Sequence, residues 1–284
     1  MKIGFNLLLW TGHVSDQHYP LLRDIKKAGY DGVEVPMFEG APDHYARLGE
    51  ALDRIGLERT VVTIMPSLDK DPLSSDAATR KAALDHAKWF IDCSAALGAP
   101  MIGGPIHSVH GHFTGAGPTA AERKRGIAFH RKAGDHAAKR NVRLAVEALN
   151  RFECYFLTTM QGLADYLDEV DHPAVSGMYD TFHANIEEAD PIKAIKTIRR
   201  HMSHVHISEN DRGTPGKGHV DWAATYKALK ASKYDGWLTI EAFGRSLPAL
   251  AAATRVWRDF FPSPESVYRD GIKHIRKGWA KAGR

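Results

Sequence analysis

At 284 residues with 43% hydrophobic side chains, the chain can bury a large core, and a disordered chain is excluded. Thirty-eight basic residues stand against 34 acidic ones, a mixed balance of +4 that speaks against a dedicated nucleic-acid surface. No apolar run is long enough for a bilayer, and Met1 leads straight into an apolar strand without a cleavage site, so a cytoplasmic protein away from membranes is expected. Cys93 and Cys154 lie far apart, form no CxxC and read as free thiols of a reducing compartment.

Short β-type runs alternate with longer helical patterns along the whole chain, the mark of βα units around a parallel sheet. Strands are expected at Lys2–Leu9, Gly32–Met37, Arg59–Ile64, Met101–Pro105, Arg143–Ala148, Val175–Tyr179, Ser203–Ile207 and Trp237–Glu241. Several are continuous β-branched runs, such as Val61-Val62-Thr63-Ile64, as strands covered on both faces require. Between them, apolar residues recur at helical spacing in Leu21-Leu22-Ile25-Ala28 and Ile192-Ile195-Ile198. Helix-ending glycines stand at Gly29, Gly56 and Gly98, just before strands. Eight such units in one domain spanning residues 1–284 make a (β/α)₈ TIM barrel, with an additional helix at about 264–282. An open doubly wound sheet would call for a glycine-rich first turn, and Leu9-Trp10-Thr11-Gly12-His13 is not one.

In such a barrel the C-terminal strand ends converge on one mouth. Glu147, Asp180, His206 and Glu241 occupy equivalent places at the ends of strands five to eight, separated by 33, 26 and 35 residues. Three carboxylates side by side in an apolar barrel need a compensating cation. Three oxygens and one imidazole suit one Mn²⁺ per subunit first, with Co²⁺ or Mg²⁺ as alternatives, over a thiolate-type zinc site.

These strand ends, with Arg151-Phe152-Glu153 and Glu209-Asn210-Asp211-Arg212-Gly213, resemble the ketose 3-epimerases of the xylose-isomerase-like barrel superfamily. The similarity runs from Gly4-Phe5-Asn6 through Gly29-Tyr30-Asp31-Gly32-Val33-Glu34 to Gly236-Trp237-Leu238-Thr239-Ile240-Glu241. It implies that Glu147, Asp180, His206 and Glu241 bind the metal, that Glu147 and Glu241 are the acid/base pair, and that Glu153, His183 and Arg212 hold the sugar's carbonyl end. Asn6 and His107 are placed on the substrate side as well, and Trp10, Met65, Phe113 and Phe243 are candidates for an apolar wall against the far carbons. The implied reaction is C3 epimerisation of a free pentulose or hexulose through a cis-enediolate, with two carboxylates on opposite faces as base and acid. The implied assembly is a homodimer or homotetramer.

Other features read differently. His204 shares a strand face with His206 and is expected to be a packed core histidine. Gly213-Thr214-Pro215-Gly216-Lys217-Gly218-His219 fails the phosphate-loop pattern, because Asp211 and Gly218 stand where Gly and Ser or Thr are needed. His107, His110 and His112 invite comparison with endonuclease-IV-like repair nucleases. That reading fails at strand three, which ends in Met65-Pro66 without a histidine, and at Gly218-His219-Val220-Asp221, which lacks Asp-x-His. Hydroxypyruvate-isomerase-like enzymes and dehydratases of the same superfamily are the nearer alternatives.

Overall fold

The computed structural model describes residues 1–283. Its frame is a closed barrel of eight parallel strands in sequential order. The strands are β1 (Lys2–Asn6), β2 (Gly32–Pro36), β3 (Glu58–Val62), β4 (Met101–Gly104), β5 (Arg143–Glu147), β6 (Val175–Asp180), β7 (Met202–Ile207) and β8 (Trp237–Ile240). Pairing of β1 with β8, Gly4 against Thr239, closes the ring and leaves no free edge. All eight expected strands are present; most end earlier than expected, while β6 runs one residue further, to Asp180, and β7 starts one residue earlier, at Met202. β1 stops at Asn6 instead of Leu9 because Leu7–Leu9 wind into a 3₁₀ turn, capped by Asn6 Oδ1 accepting from the Leu8 N–H at 2.9 Å. β3 starts at Glu58 and ends at Val62 rather than Ile64, and β4 ends before Pro105.

The surrounding helices are α1 (Tyr19–Ala28), α2 (Pro42–Ile55), α3 (Ala77–Leu97), α4 (Ala120–Lys139), α5 (Met160–Val170), α6 (Thr181–Glu187), α7 (Pro191–Ile198), α8 (Trp222–Ala231), α9 (Pro248–Thr254) and α10 (Pro264–Lys281). Two short helices follow β6, and the segment after β8 holds only the brief α9 before α10. Gly29, Gly56 and Gly98 end α1, α2 and α3 in the left-handed conformation, as the sequence led one to expect. α4 begins in a capping box between Thr119 and Glu122. One continuous core joins the strands' outward faces to the helices, including Phe5, Ile25, Leu52, Phe90, Ile102, Leu144, Tyr179, Val205 and Leu238. α10 adds Val267, Tyr268, Ile272 and Ile275 to it and reaches back to α1 and α8. Among the described residues no helix is long and apolar enough to cross a membrane, and both cysteines are buried and unpaired.

Candidate active site

Each strand end delivers its polar residue by a local device. Asp180 is both the last residue of β6 and the N-cap of α6: its Oδ1 accepts from the Phe182 N–H at 2.6 Å, which leaves Oδ2 facing the barrel mouth. His183 lies one residue further on the same turn. Glu147 ends β5, and the loop after it turns at Asn150, which brings Glu153 back over the mouth. Arg212 sits in the β7–α8 loop with φ +62°, a left-handed conformation for a branched-chain-sized residue. The loop fixes it there around the buried Glu209, which accepts from the N–H groups of Gly216 and Val220 and from Trp222 Nε1.

The four strand-end residues meet. His206 Nδ1 lies 3.4 Å from Glu241 Oε1, 3.6 Å from Asp180 Oδ2 and 3.9 Å from Glu147 Oε1. Asp180, His206 and Glu241 offer donor atoms within 4.8 Å of one another, and Glu147, Asp180 and His183 form an overlapping group of the same kind. Arg212 Nη1 donates to Asp180 Oδ2 at 3.2 Å, to Ser208 Oγ at 3.0 Å and to Glu241 Oε2. Its guanidinium is clamped between the rings of Phe182 and Phe243, 3.8 and 4.8 Å from their centroids.

Two atoms test whether this centre fits a cation. His206 Nδ1 and Glu147 Oε1 are buried and have no hydrogen-bond partner, although they face each other across the cluster. Burial, reinforced by Glu241 and Asp180, pushes the Glu147 carboxyl well above the ordinary carboxylate range. Burial works against protonation of His206, yet Glu241 and Glu34 pull it well above the ordinary imidazole value. Asp180 is held well below its usual range because Arg212, aided by His206, outweighs the burial penalty. The centre is therefore short of positive charge, and its oxygen-rich donor set with one imidazole fits a divalent ion.

His183 Nδ1 accepts the Asn150 backbone N–H at 3.0 Å. Its Nε2 edge faces Glu147 Oε1 at 3.7 Å and Arg212 Nη2 at 3.1 Å, at the cavity wall. Burial keeps the His183 ring neutral by lowering its proton affinity. Glu153 accepts from Asn150 Nδ2 at 2.8 Å and lies 3.2 Å from His110 Nε2. Against the cost of burial, His110 and His183 lower its pKa to about 2, so it stays ionised.

The cavity over this centre is lined by Glu147, Glu153, His183, Arg212, Glu241 and Phe243, as expected, and by residues the sequence did not single out. These are Leu8, Phe38, Val62, Ile64, Pro105, Leu149 and, from α9, Leu250, Ala253 and Thr254; His110 also lines it, and Asp180 and His206 group with its lining residue Glu241. Five expected substrate-side or wall residues do not line it. Asn6 is fully buried below the floor, with its amide hydrogens directed to Glu34 and Glu241. Trp10 is turned away by the 3₁₀ turn and packs on Phe5 and Tyr268. Met65 is fully buried in the core, and His107 is fully buried against Phe156 with its Nδ1 2.9 Å from Ser108 Oγ. Phe113 is exposed to solvent and makes no wall. His204 is fully buried as expected, though not simply packed: its Nε2 lies 2.8 Å from Glu34 Oε1. Glu34 itself was overlooked. A lone carboxylate inside an otherwise apolar parallel strand, Gly32-Val33-Glu34-Val35, was the signal, because it has to find buried partners.

A sequence profile of the xylose isomerase-like TIM barrel matches residues 22–278. A probable ketose 3-epimerase of Synechocystis sp. is 30% identical over 98% of this chain and 96% of its own length. The ketose 3-epimerase of Arthrobacter globiformis is 31% identical over 97% and 96%. Among solved structures, an L-ribulose 3-epimerase superposes with a TM-score of 0.94 at 27% identity, covering 100% of this chain and 96% of that one. A D-psicose 3-epimerase solved in the presence of D-fructose gives 0.88 at 28% identity, covering 98% and 99%.

Proposed function

The chain belongs to the xylose isomerase-like TIM barrel family and, within it, to the ketose 3-epimerases, and from that premise we propose that this isomerase inverts C3 of a free ketose, a pentulose or hexulose, by moving protons between Glu147 and Glu241. The observation that carries the reading is the meeting of Glu147, Asp180, His206 and Glu241, two of whose buried atoms have no protein partner. These four would hold one divalent ion, Mn²⁺ before Co²⁺ or Mg²⁺. When bound, such an ion stabilises negative charge that develops on adjacent substrate oxygens.

The protein's own groups account for the remaining work. Arg212 and the Nε2 edge of His183 point into the same side of the cavity, where the guanidinium donates to the carbonyl oxygen, which gains charge as C3 loses its proton. One glutamate takes the C3 proton, and the other returns a proton to the opposite face of the planar enediolate. Which glutamate is base then depends on the direction of turnover. Glu147 Oε1, free of hydrogen bonds, is available for that proton. Glu153 stays charged beside Asn150 and His110 and accepts from a substrate hydroxyl. The apolar rim of Leu8, Val62, Leu149 and Phe243 keeps bulk water off the enediolate, while the two glutamates exchange their protons with solvent between turnovers.

An unphosphorylated substrate fits this rim. Among the described residues, Arg212 is the only arginine or lysine lining the cavity, and it is committed to Asp180 and Glu241. The test is incubation of Mn²⁺-loaded protein with D-fructose, D-psicose, D-tagatose and L-ribulose. C3 epimers are expected; aldoses or dehydrated products instead would overturn the assignment.

A further inference from the structure

Beneath the site, in the barrel interior, Glu34 of β2 is fully buried and has four polar neighbours on three other strands. Its Oε2 accepts from His206 Nε2 at 2.8 Å and from Asn6 Nδ2 at 3.0 Å. Its Oε1 accepts from Thr60 Oγ1 at 3.1 Å and lies 2.8 Å from His204 Nε2. His204 Nε2 comes close without making a hydrogen bond, so Glu34 is held by three donors, from His206, Asn6 and Thr60.

We infer that Glu34 is a positioning residue that prepares two members of the centre at once: His206 directly, and Glu241 through Asn6. This rests on the reading of the strand-end cluster as a metal site. A carboxylate accepts only, so His206 keeps a proton on Nε2, and Nδ1 is the nitrogen turned toward Asp180, Glu147 and Glu241, the one left to meet an ion. The second arm runs through one amide. Asn6 Nδ2 donates to Glu34 Oε2 and, with its other hydrogen, to Glu241 Oε1, both at 3.0 Å. Asn6 Oδ1 is held by the Leu8 N–H at 2.9 Å, so the amide cannot turn over without losing all three bonds. Glu241 Oε1 is thus tied to the barrel floor, while Oε2 is tied to Arg212. The carboxylate of β2 touches no part of the cavity, but it fixes which nitrogen of one ligand is open and where another ligand's oxygen stands.

Glu34→Gln removes the charge, and Glu34→Asp keeps it but withdraws it from His206 by one methylene. Mn²⁺ affinity is read from the paramagnetic resonance signal of the free ion, with the metal-free unfolding temperature measured alongside. Both variants are expected to bind Mn²⁺ about 10–100-fold more weakly than the unaltered chain. Tyr166→Phe, which cuts a buried 2.7 Å contact to His130 far from the centre, serves as a control for mere loss of stability and is expected to keep the original affinity. If the folded Glu34→Asp protein binds Mn²⁺ as tightly as the unaltered chain, the inference is overturned. If the unaltered chain itself binds no Mn²⁺, the metal reading falls first, so the two failures are distinguishable.

Discussion

Loading the strand-end cluster with Mn²⁺ is expected to raise the unfolding temperature by several degrees. The folded chain holds Glu147, Asp180, Glu241 and the open Nδ1 of His206 within reach of one ion, whereas the unfolded chain scatters them. At a free concentration about 100 times the Kd, linkage adds about 2.7 kcal/mol to the stability. Unfolding entropies near 2.1 cal/mol/K per residue give about 0.6 kcal/mol/K for 284 residues. Dividing one by the other puts the shift at about 4–5 °C. The assay is calorimetric unfolding of chelator-stripped protein with and without Mn²⁺. Asp180→Asn, which removes one charge from the cluster, is expected to shrink the shift sharply. Equal unfolding temperatures with and without Mn²⁺ would refute the reasoning, and a full shift in Asp180→Asn would place the ion elsewhere.

Three further outcomes follow from the geometry. Glu147→Gln and Glu241→Gln are each expected to lower turnover by about 10²–10⁴-fold while Mn²⁺ stays bound, so an active single variant in steady-state assays would remove that glutamate from proton transfer. Arg212→Lys loses the planar fork between Phe182 and Phe243 and the paired donations to Asp180 and Glu241. A fall in kcat/KM of about 10–100-fold is expected, and unchanged kinetics would argue against Arg212 as a substrate contact. The third outcome concerns pH and sites away from the chemistry. Burial lowers His107 to about 3 and His130 to about 4, from an ordinary value of 6.5. Depressed folded-state values mean that their contribution is present above about 6.5 and is lost as pH falls, because only the unfolded chain takes up the two protons. Urea unfolding between pH 6 and pH 5 should show stability declining by up to about 2.7 kcal/mol per pH unit from this pair. Replacing both by glutamine should flatten that slope, and an unaltered slope would show that the pair is not its source.

The parts legible in the sequence are those fixed by the barrel's period. Glu147, Asp180, His206 and Glu241 stand within one residue of the ends of successive strands, and strand ends of a parallel barrel have one place to go. Glu153, His183, Arg212 and Phe243 came from family resemblance or from loop position, and the fold brings them to the same cavity. Errors arose where a local turn or a distant partner decided the outcome. An extended strand through Leu9 would have carried Trp10 to the mouth, but the turn at Leu7–Leu9 swings it onto Phe5 and Tyr268. Asn6 is expected on the substrate side, whereas its amide is held by Glu34 and Glu241, 28 and 235 residues away. The α9 wall, Leu250 to Thr254, belongs to a seven-residue helix too short to announce its face by periodicity.

The central claim is that a proton leaves and returns at C3 of a free ketose, and the fate of solvent deuterium at that carbon tests it most directly. Mn²⁺-loaded protein is incubated in D₂O with D-fructose or L-ribulose, and the sugars are resolved and located by nuclear magnetic resonance. The account predicts C3 epimers carrying deuterium at C3, formed about 10²–10⁴-fold more slowly by Glu147→Gln and Glu241→Gln. Label at C2 or C1 with aldose formation, or unlabelled sugar without epimer, would contradict it.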